Sequence, residues 1–406
     1  MSSLSEQTPT DGSLPEQVLI GAAERQFGVY VHVPYCRVRC GYCDFNTYTA
    51  TELKGTTQKQ YAEEAMQEMS FASNLMMRTG LPERAAETIF FGGGTPTLLP
   101  HGDLSKMLQH IKDVWGLAKT AEINVEANPD SVDEKYIAAL AEAGFTRVSI
   151  GMQSAQTHVL KTLDRTHNPE SVGSVVSWVQ SHGMQASVDL IYGTPGETLE
   201  DWRKSLDVAL SYEPDHISSY ALIVEEGTKL ARDIKRGIIP APDDDLQASM
   251  YELADELLTK AGFKWYELSN WAADIESVSR HNIAYWQNTD WWGIGPGAHS
   301  HIGGVRWWNV KHPAAYAERI ERGVSPSLER EVLTTESRIL EDVLLKTRLA
   351  EGMLIADIPW DSTQALAELI SDELIDGRSA IWGRIVLTLK GRLLADAVVR
   401  KLTDVL

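Results

Sequence analysis

The chain has 406 residues, with 37 Lys and Arg against 57 Asp and Glu and a formal net charge of −20. This charge disfavours nucleic acid as a partner, because proteins bind phosphate backbones by neutralising them with Lys and Arg. No apolar run approaches the ~18 residues of a membrane-spanning helix, and residues 1–20 lack the apolar run of a secretory signal. We therefore expect a soluble cytoplasmic protein.

From Phe27 to about Val224, short apolar segments alternate with segments of helical period, as in repeated βα units. The predicted strands lie near residues 28–34, 87–92, 121–126, 146–152, 186–192 and 215–222. The predicted helices lie at 56–78, 102–116, 131–143, 155–162, 170–182 and 198–211. Six units predict an α/β fold, a partial parallel βα barrel over residues 27–226. The polar, acidic residues 1–26 before it are predicted to be a disordered tail.

The chain's three cysteines, Cys36, Cys40 and Cys43, follow the first predicted strand with C-x3-C-x2-C spacing. Three thiolates suit a four-iron, four-sulfide cluster that keeps one iron free of protein ligands, and we expect chemistry at that open iron. A structural zinc would need a fourth ligand, such as His32, Asp44 or a distant histidine. A disulfide is the other alternative, which a reducing cytosol disfavours.

The later predicted strands end at glycine or polar residues, which a parallel barrel would gather on one face. In chain order these are Gly92-Gly93-Gly94-Thr95, Glu126, Gln153, Asp189 and Tyr220-Ala221. The glycines would let backbone groups approach a ligand, or would only form a tight turn. The polar residues would contact a ligand, or would only cap helices and border turns. Arg165 is predicted to pair with a ligand carboxylate, or alternatively to form a surface ion pair.

Beyond residue 226 the βα pattern stops, and residues 238–245 are predicted to be a linker before a helix at 244–261. The segment 227–324 is rich in aromatic residues, with probable short strands and loops over 263–308, and contains His281-Asn-Ile-Ala-Tyr285-Trp286. These three residues suit heme chemically, because an imidazole can ligate heme iron and aromatic rings can cover a porphyrin face. The alternative is a His281 that only forms hydrogen bonds in an aromatic core.

Residues 325–406 complete a mixed α+β C-terminal domain. Helices at 334–350, 361–375 and 390–401 and a strand pair around 380–389 predict a winged-helix-like module. This segment has ten Lys and Arg against fourteen Asp and Glu, so it lacks the basic surface of a DNA-binding module. We expect its role to be structural.

Several of these motifs together resemble the radical S-adenosylmethionine superfamily, and within it the oxygen-independent coproporphyrinogen III oxidase-like branch. They are the cysteine spacing, Tyr42 before the last cysteine, Gly-Gly-Gly-Thr-Pro, Glu126, Ser-Ile-Gly-Met-Gln-Ser and Asp-Leu-Ile-Tyr-Gly. The resemblance covers about residues 27–401. It implies a radical SAM barrel with a [4Fe–4S] cluster on Cys36, Cys40 and Cys43, whose open iron chelates S-adenosylmethionine. The implied S-adenosylmethionine contacts are Tyr30, Tyr42, Gly93, Gly94, Thr95, Glu126, Gln153, Arg165, Asp189 and Ala221.

Two features distinguish members of that branch. The true oxidase carries a further cysteine two residues after the third, where this chain has Phe45. The H-N-x-x-Y-W motif at 281–286 resembles that of the branch's heme chaperones, which implies that His281, Tyr285 and Trp286 bind heme. The resemblance therefore implies a chaperone that transfers heme to an acceptor protein, such as one of the respiratory chain, and that uses an unknown electron donor. Turnover of S-adenosylmethionine is left open. The alternative is an oxidase that decarboxylates coproporphyrinogen III.

Overall fold

The computed structural model describes residues 6–53 and 58–404. The strands are β1 Glu6–Gln7, β2 Phe27–Val33, β3 Ala86–Gly93, β4 Leu117–Ala127, β5 Arg147–Gln153, β6 Gln185–Tyr192, β7 His216–Ala221, β8 Lys264–Glu267, β9 Asn270–Ala272, β10 Asp290–Ile294, β11 His299–Ile302, β12 Val305–Asn309, β13 Ser327–Val332, β14 Met353–Leu354 and β15 Arg384–Ile385. The helices are α1 Tyr61–Thr79, α2 His101–Trp115, α3 Glu134–Ala143, α4 Thr157–Thr162, α5 Ser171–Ser181, α6 Leu199–Ser211, α7 Lys229–Lys235, α8 Asp244–Lys260, α9 Arg280–Trp286, α10 Pro313–Glu321, α11 Thr335–Lys346, α12 Thr363–Ser371, α13 Gly377–Ile381, α14 Leu389–Leu393 and α15 Ala395–Thr403.

A mixed sheet forms the centre of the protein, in the order β1-β13-β12-β11-β10-β2-β3-β4-β5-β6-β7-β9-β8. Strands β2 to β7 are parallel and adjacent in sequence order, with helices in their connections. Most β2 side chains are buried, as expected for a parallel strand covered on both faces. Because parallel strands end at the same edge, the loops after β2 to β7 lie together. The predicted βα core is confirmed.

The boundaries of this core differ from prediction by a few residues. Strand β4 begins at Leu117 rather than near 121. Helix α1 begins at Tyr61 rather than at 56, and residues 54–57 lie outside the described residues. Helix α3 begins at Glu134 rather than at 131, because the Asp133 side chain accepts a hydrogen bond from the Tyr136 backbone N–H and so caps the helix.

The aromatic segment is part of the same sheet. Strand β10 pairs in parallel with β2, and β11 to β13 continue the sheet from it in antiparallel order. At the opposite edge, β9 pairs with β7. Trp271, Trp292 and Trp307 are buried in the main core. The predicted boundaries at 226 and 324 therefore do not divide the sheet. Helix α7 was not predicted.

The prediction of a disordered tail is wrong for residues 6–26, whereas residues 1–5 lie outside the described residues. Strand β1 pairs with β13, and Val18 and Ala22 are buried in the main core. The Arg25 guanidinium lies 2.9 Å from the buried Asp290 carboxylate. The few apolar residues of this polar segment are enough to fix it, since the folded domain supplies both an apolar surface and an ionic partner.

The C-terminal part has a core of its own, formed by residues such as Val343, Leu369 and Val398. Strand β15 pairs with β14, so the predicted strand pair within 380–389 is corrected. The predicted helix at 390–401 is two helices, α14 and α15. The winged-helix comparison stays a prediction. In the part of the chain that the structure describes, we find no helix both long and apolar enough to span a bilayer.

Candidate functional site

A cavity of about 760 Å³ lies at the carboxyl ends of the parallel strands. A volume of this size is typical of a site for one small molecule. Its wall includes all three cysteines and every residue that the resemblance assigned to S-adenosylmethionine: Tyr30, Tyr42, Gly93, Gly94, Thr95, Glu126, Gln153, Arg165, Asp189 and Ala221. The structure thus brings together residues that the sequence spreads over almost two hundred positions. Their binding roles stay predictions.

The cysteine loop leaves the end of β2 and returns beside it. The Cys36 backbone N–H donates to the Tyr48 carbonyl at 3.0 Å, and the Cys43 N–H donates to the Cys40 carbonyl at 3.2 Å. All three cysteines are free and half-buried. Burial, followed by the neighbouring Cys43 thiol, raises the pKa of Cys36 to about 11. The metal-free loop therefore carries a protonated Cys36, which must lose its proton when it binds a metal.

The donor set fits a cluster better than a single ion. Across residues 6–53 and 58–404, no group of three or more His, Cys, Asp or Glu side chains is placed to ligate one metal ion. In a cubane each thiolate binds a different iron, so the donors need not converge on one point. Both ring nitrogens of His32 are engaged, Nδ1 with the Tyr30 hydroxyl at 3.0 Å and Nε2 with the Asn46 carbonyl at 2.9 Å. His32 is therefore not available as a fourth zinc ligand.

The glycines after β3 are needed for packing as well as for access to the cavity. Gly93 has a φ of 109°, and a Cβ there would lie 2.5 Å from the His32 ring. A Cβ on Gly94 would lie 2.5 Å from the Tyr35 carbonyl oxygen. Any side chain at these positions would push the cysteine loop away from β3. The glycine run thus explains how the loop and the cavity wall stay adjacent.

Two carboxylates face the cavity from β4 and β6. Glu126 accepts a hydrogen bond from the Gly93 N–H at 3.0 Å, and burial, followed by the charge of Asp189, raises the pKa of Glu126 to about 8. Burial also raises the pKa of Asp189, although hydrogen bonds from Ser149 and other serines oppose this shift. A buried carboxylate of this kind gains from a ligand that brings hydroxyl or ammonium donors.

Gln153 and Arg165 complete the wall beside the cysteines. Gln153 has a φ of 63°, a costly backbone conformation for a residue other than glycine, of the kind that concentrates at ligand sites. The Arg165 Nη2 donates to the Gly151 carbonyl at 2.8 Å, and its buried Nε has no partner among the described residues. In residues 6–53 and 58–404 no carboxylate lies within ion-pair distance of Arg165, so this part of the chain does not support the alternative of a surface ion pair.

The residues of the aromatic motif in α9 do not all line the cavity. His281 and Tyr285 line the cavity, whereas Trp286 is not among its lining residues and lies near the Glu267 carboxylate instead. His281 is 1% exposed, with Nδ1 2.8 Å from the Thr88 hydroxyl and Nε2 2.9 Å from the Tyr285 hydroxyl. Desolvation lowers the pKa of His281 to about 3. In this conformation both ring nitrogens are therefore engaged within the protein.

A polar layer deeper in the cavity was not predicted from the sequence. Its members are strand residues that face inward: Asn124, Arg147, Ser149, Ser187, His216 and Ser218. They stand two, four or six positions before the predicted strand-end residues, so a period-two pattern of polar residues is the available signal. The Val and Ile residues that alternate with them make these segments resemble uniformly apolar strands.

Comparisons with known proteins show the family to which this chain belongs. The model of the radical SAM superfamily matches residues 30–209. The chain is 45% identical over 377 residues to the heme chaperone HemW of Mycobacterium tuberculosis, which covers 93% of this chain and 94% of the relative. The chain belongs to the HemW family. HemW of Bacillus subtilis is 35% identical, over 80% of this chain and 84% of the relative.

More distant relatives share the fold. Coproporphyrinogen III oxidase (HemN) from Escherichia coli superposes with a TM-score of 0.80 at 24% identity, covering 98% of this chain and 95% of that one. This similarity confirms the α/β radical SAM fold. Membership of the HemW family, within the radical SAM superfamily, implies a [4Fe–4S] cluster and S-adenosylmethionine, and the three thiols on one cavity wall fit such a cluster.

Proposed function

We propose that this protein is a heme chaperone: it binds one heme and passes it to an acceptor protein. The observation that carries the proposal is the 45% identity, over nearly the whole of both chains, to a relative named as a heme chaperone. We further propose that Cys36, Cys40 and Cys43 hold a [4Fe–4S] cluster and that S-adenosylmethionine binds beside it in the cavity.

The cavity supports S-adenosylmethionine by the placement of its charges. When bound, the cluster supplies an open iron that chelates the amino and carboxylate groups of the ligand and can donate one electron. Arg165 lies next to the cysteine loop and is suited to a ligand carboxylate. Glu126 and Asp189 are suited to accept hydrogen bonds from ribose hydroxyls, and Tyr42 offers a half-buried ring beside the cysteines. Each of these roles is part of the proposal.

Phe45 favours the chaperone over the oxidase. It stands two residues after Cys43, where the oxidase is expected to carry a further cysteine, and its side chain is 61% exposed at the cavity wall. A phenyl ring supplies no metal ligand. The similarity to HemN is one of fold and does not favour oxidase activity here.

The roles of His281, Tyr285 and Trp286 in heme binding stay a prediction. Two of the three lie in the cavity wall, which supports a common location for cluster and cargo. The hydrogen bonds on both nitrogens of His281 would have to break before it could ligate iron.

Purified protein with an anaerobically reconstituted cluster tests the proposal. We expect one heme bound per chain in an absorption titration, and transfer of that heme to an apo-protein with a higher heme affinity. The same sample, given coproporphyrinogen III, S-adenosylmethionine and a reductant, should form no protoporphyrinogen. Decarboxylation without retained heme would establish the oxidase instead. A sample with one zinc and no inorganic sulfide would refute the cluster.

A further inference from the structure

Three large apolar side chains surround the mouth of the cavity, and we call them the apolar rim: Val38, Phe45 and Ile223. Their exposed fractions are 49%, 61% and 66%, and all three line the cavity. Val38 and Phe45 come from the cysteine loop, whereas Ile223 lies two residues after the end of β7. An exposed apolar surface of this kind next to a cavity is typical of a binding site, because covering it releases ordered water.

An exposed arginine lies beside the apolar rim. Arg37 is exposed and lines the same cavity. Within the described residues, no hydrogen bond or ion pair engages its guanidinium. Arg39, two positions away, differs because it lies 3.3 Å from the Glu52 carboxylate. Arg37 is therefore available for a carboxylate that arrives with a ligand.

We propose that the apolar rim and Arg37 bind the heme, with the macrocycle over Val38, Phe45 and Ile223 and one propionate on Arg37. This inference rests on the proposed function and adds the location of the cargo. Heme combines a flat apolar ring with carboxylates along one edge, and the mouth offers the complementary pattern of apolar surface beside a free cation. The rest of the protein is strongly acidic, so such a site is not a general feature of its surface.

The depth of the cavity supports binding at the mouth rather than at its floor. The two histidines of the cavity wall, His216 and His281, are 2% and 1% exposed. The nitrogens of His216 also have partners, the Ser187 and Tyr266 hydroxyls, each at 2.8 Å. Heme at the rim therefore binds through its face and a propionate, with no imidazole on its iron from these residues. Such binding leaves the iron accessible to an acceptor that supplies its own ligand.

Heme titration of single variants tests the location, first without S-adenosylmethionine. In the cluster-loaded protein we expect Ile223→Glu and Arg37→Glu each to weaken heme binding at least tenfold. Matched controls are Ile275→Glu, at an isoleucine that is 82% exposed outside the cavity wall, and Arg400→Glu, at an exposed arginine of α15. We expect the controls to bind heme within twofold of the unmodified protein. Iron and sulfide content is measured on every sample.

Ile223 lies outside the cysteine loop, so Ile223→Glu decides the question if Arg37→Glu loses its cluster. Heme affinity within twofold of the unmodified protein in Ile223→Glu would overturn the rim proposal and leave the chaperone proposal intact. Failure of the unmodified protein to bind heme would instead refute the chaperone. A second titration, with S-adenosylmethionine, and sedimentation of the same variants test two other occupants of the rim. If the rim substitutions weakened only S-adenosylmethionine binding, or only abolished a dimer, the rim would belong to that ligand or to a second copy of the chain. Either result would overturn the proposal.

Discussion

The Arg165 guanidinium joins the cysteine loop to the end of β5: its Nη1 lies 3.9 Å from Cys40 Sγ, while its Nη2 donates to the Gly151 carbonyl. Arg165 follows α4, so this contact connects two loops that are far apart in sequence. The guanidinium is oriented by protein groups before any ligand binds, and preorganisation of this kind lowers the entropic cost of binding a carboxylate.

We therefore expect Arg165→Ala to weaken S-adenosylmethionine binding by tenfold or more, because a charge-assisted hydrogen bond to a carboxylate is worth ~1.5–3 kcal/mol. Arg165→Lys keeps the positive charge but not the bidentate geometry of a guanidinium. Its affinity for S-adenosylmethionine should therefore lie between those of Arg165→Ala and the unmodified protein. Anaerobic equilibrium binding on cluster-loaded protein measures the effect, with cluster absorbance as the control. Unchanged affinity in Arg165→Ala would limit Arg165 to supporting the loop.

Cys40→Ser should remove the cluster and keep the fold. The three cysteines are half-buried and are not members of the hydrophobic core. Hydroxyl groups are poor ligands for iron–sulfur clusters, so bound iron and sulfide should fall to near zero. Thermal unfolding followed by circular dichroism, with both proteins metal-free, should give the same midpoint within ~2 °C. Global unfolding of the variant would show that the loop supports the barrel.

His281→Ala separates a heme ligand from a structural residue. The His281 ring is hydrogen-bonded to Thr88 and Tyr285 and lies over Phe90 with ring centroids 5.2 Å apart. Its removal should cost ~2–4 kcal/mol of unfolding free energy, from a cavity and two unpaired hydroxyls. If heme binds at the apolar rim, the heme affinity of His281→Ala should stay within about threefold of that of the unmodified protein.

Tyr285→Phe is the control for His281→Ala, because it removes one hydrogen bond without emptying space. The absorption spectrum of the heme complex reports any imidazole ligation. A tenfold loss of heme affinity in His281→Ala, together with a spectral change absent from Tyr285→Phe, would establish His281 as the iron ligand.

A buried carboxylate away from the cavity should make stability depend on pH. Glu68 in α1 is 1% exposed and accepts hydrogen bonds from the Gly295 N–H, the Asn309 amide and the Tyr316 hydroxyl. Burial outweighs these bonds and raises the pKa of Glu68 from 4.5 to about 7. Between these two values the folded protein binds more protons than the unfolded chain, so this group's contribution to stability falls as the pH rises.

Glu68→Gln should remove this dependence. The free energy of unfolding of the variant, minus that of the unmodified protein, should rise between pH 4.5 and about 7 and then level off, with a total of at most ~3 kcal/mol. Urea denaturation at several pH values measures it, and the exposed Glu63 of the same helix supplies the control Glu63→Gln. A difference that is constant over this range would contradict the assignment.

Local patterns in the sequence determined much of this protein. The period and length of the segments from Phe27 to Val224 predicted six parallel strands in the correct order, because each βα unit buries its own strand next to the preceding one. The cysteine spacing and the strand-end residues predicted the cavity wall, since parallel strands deliver their carboxyl ends to one edge whatever the details of packing.

Only the tertiary structure decided what depends on contacts between distant segments. The pairing of β10 with β2 places the aromatic segment in the main sheet, and the pairing of β1 with β13 orders the polar N-terminal segment. Neither β1 nor β10 has a periodic sequence pattern that would predict these pairings. The burial of His281 and the exposure of Val38, Phe45 and Ile223 also follow from packing. A residue's type states which chemistry it can perform, whereas its neighbours in space determine whether a ligand can reach it.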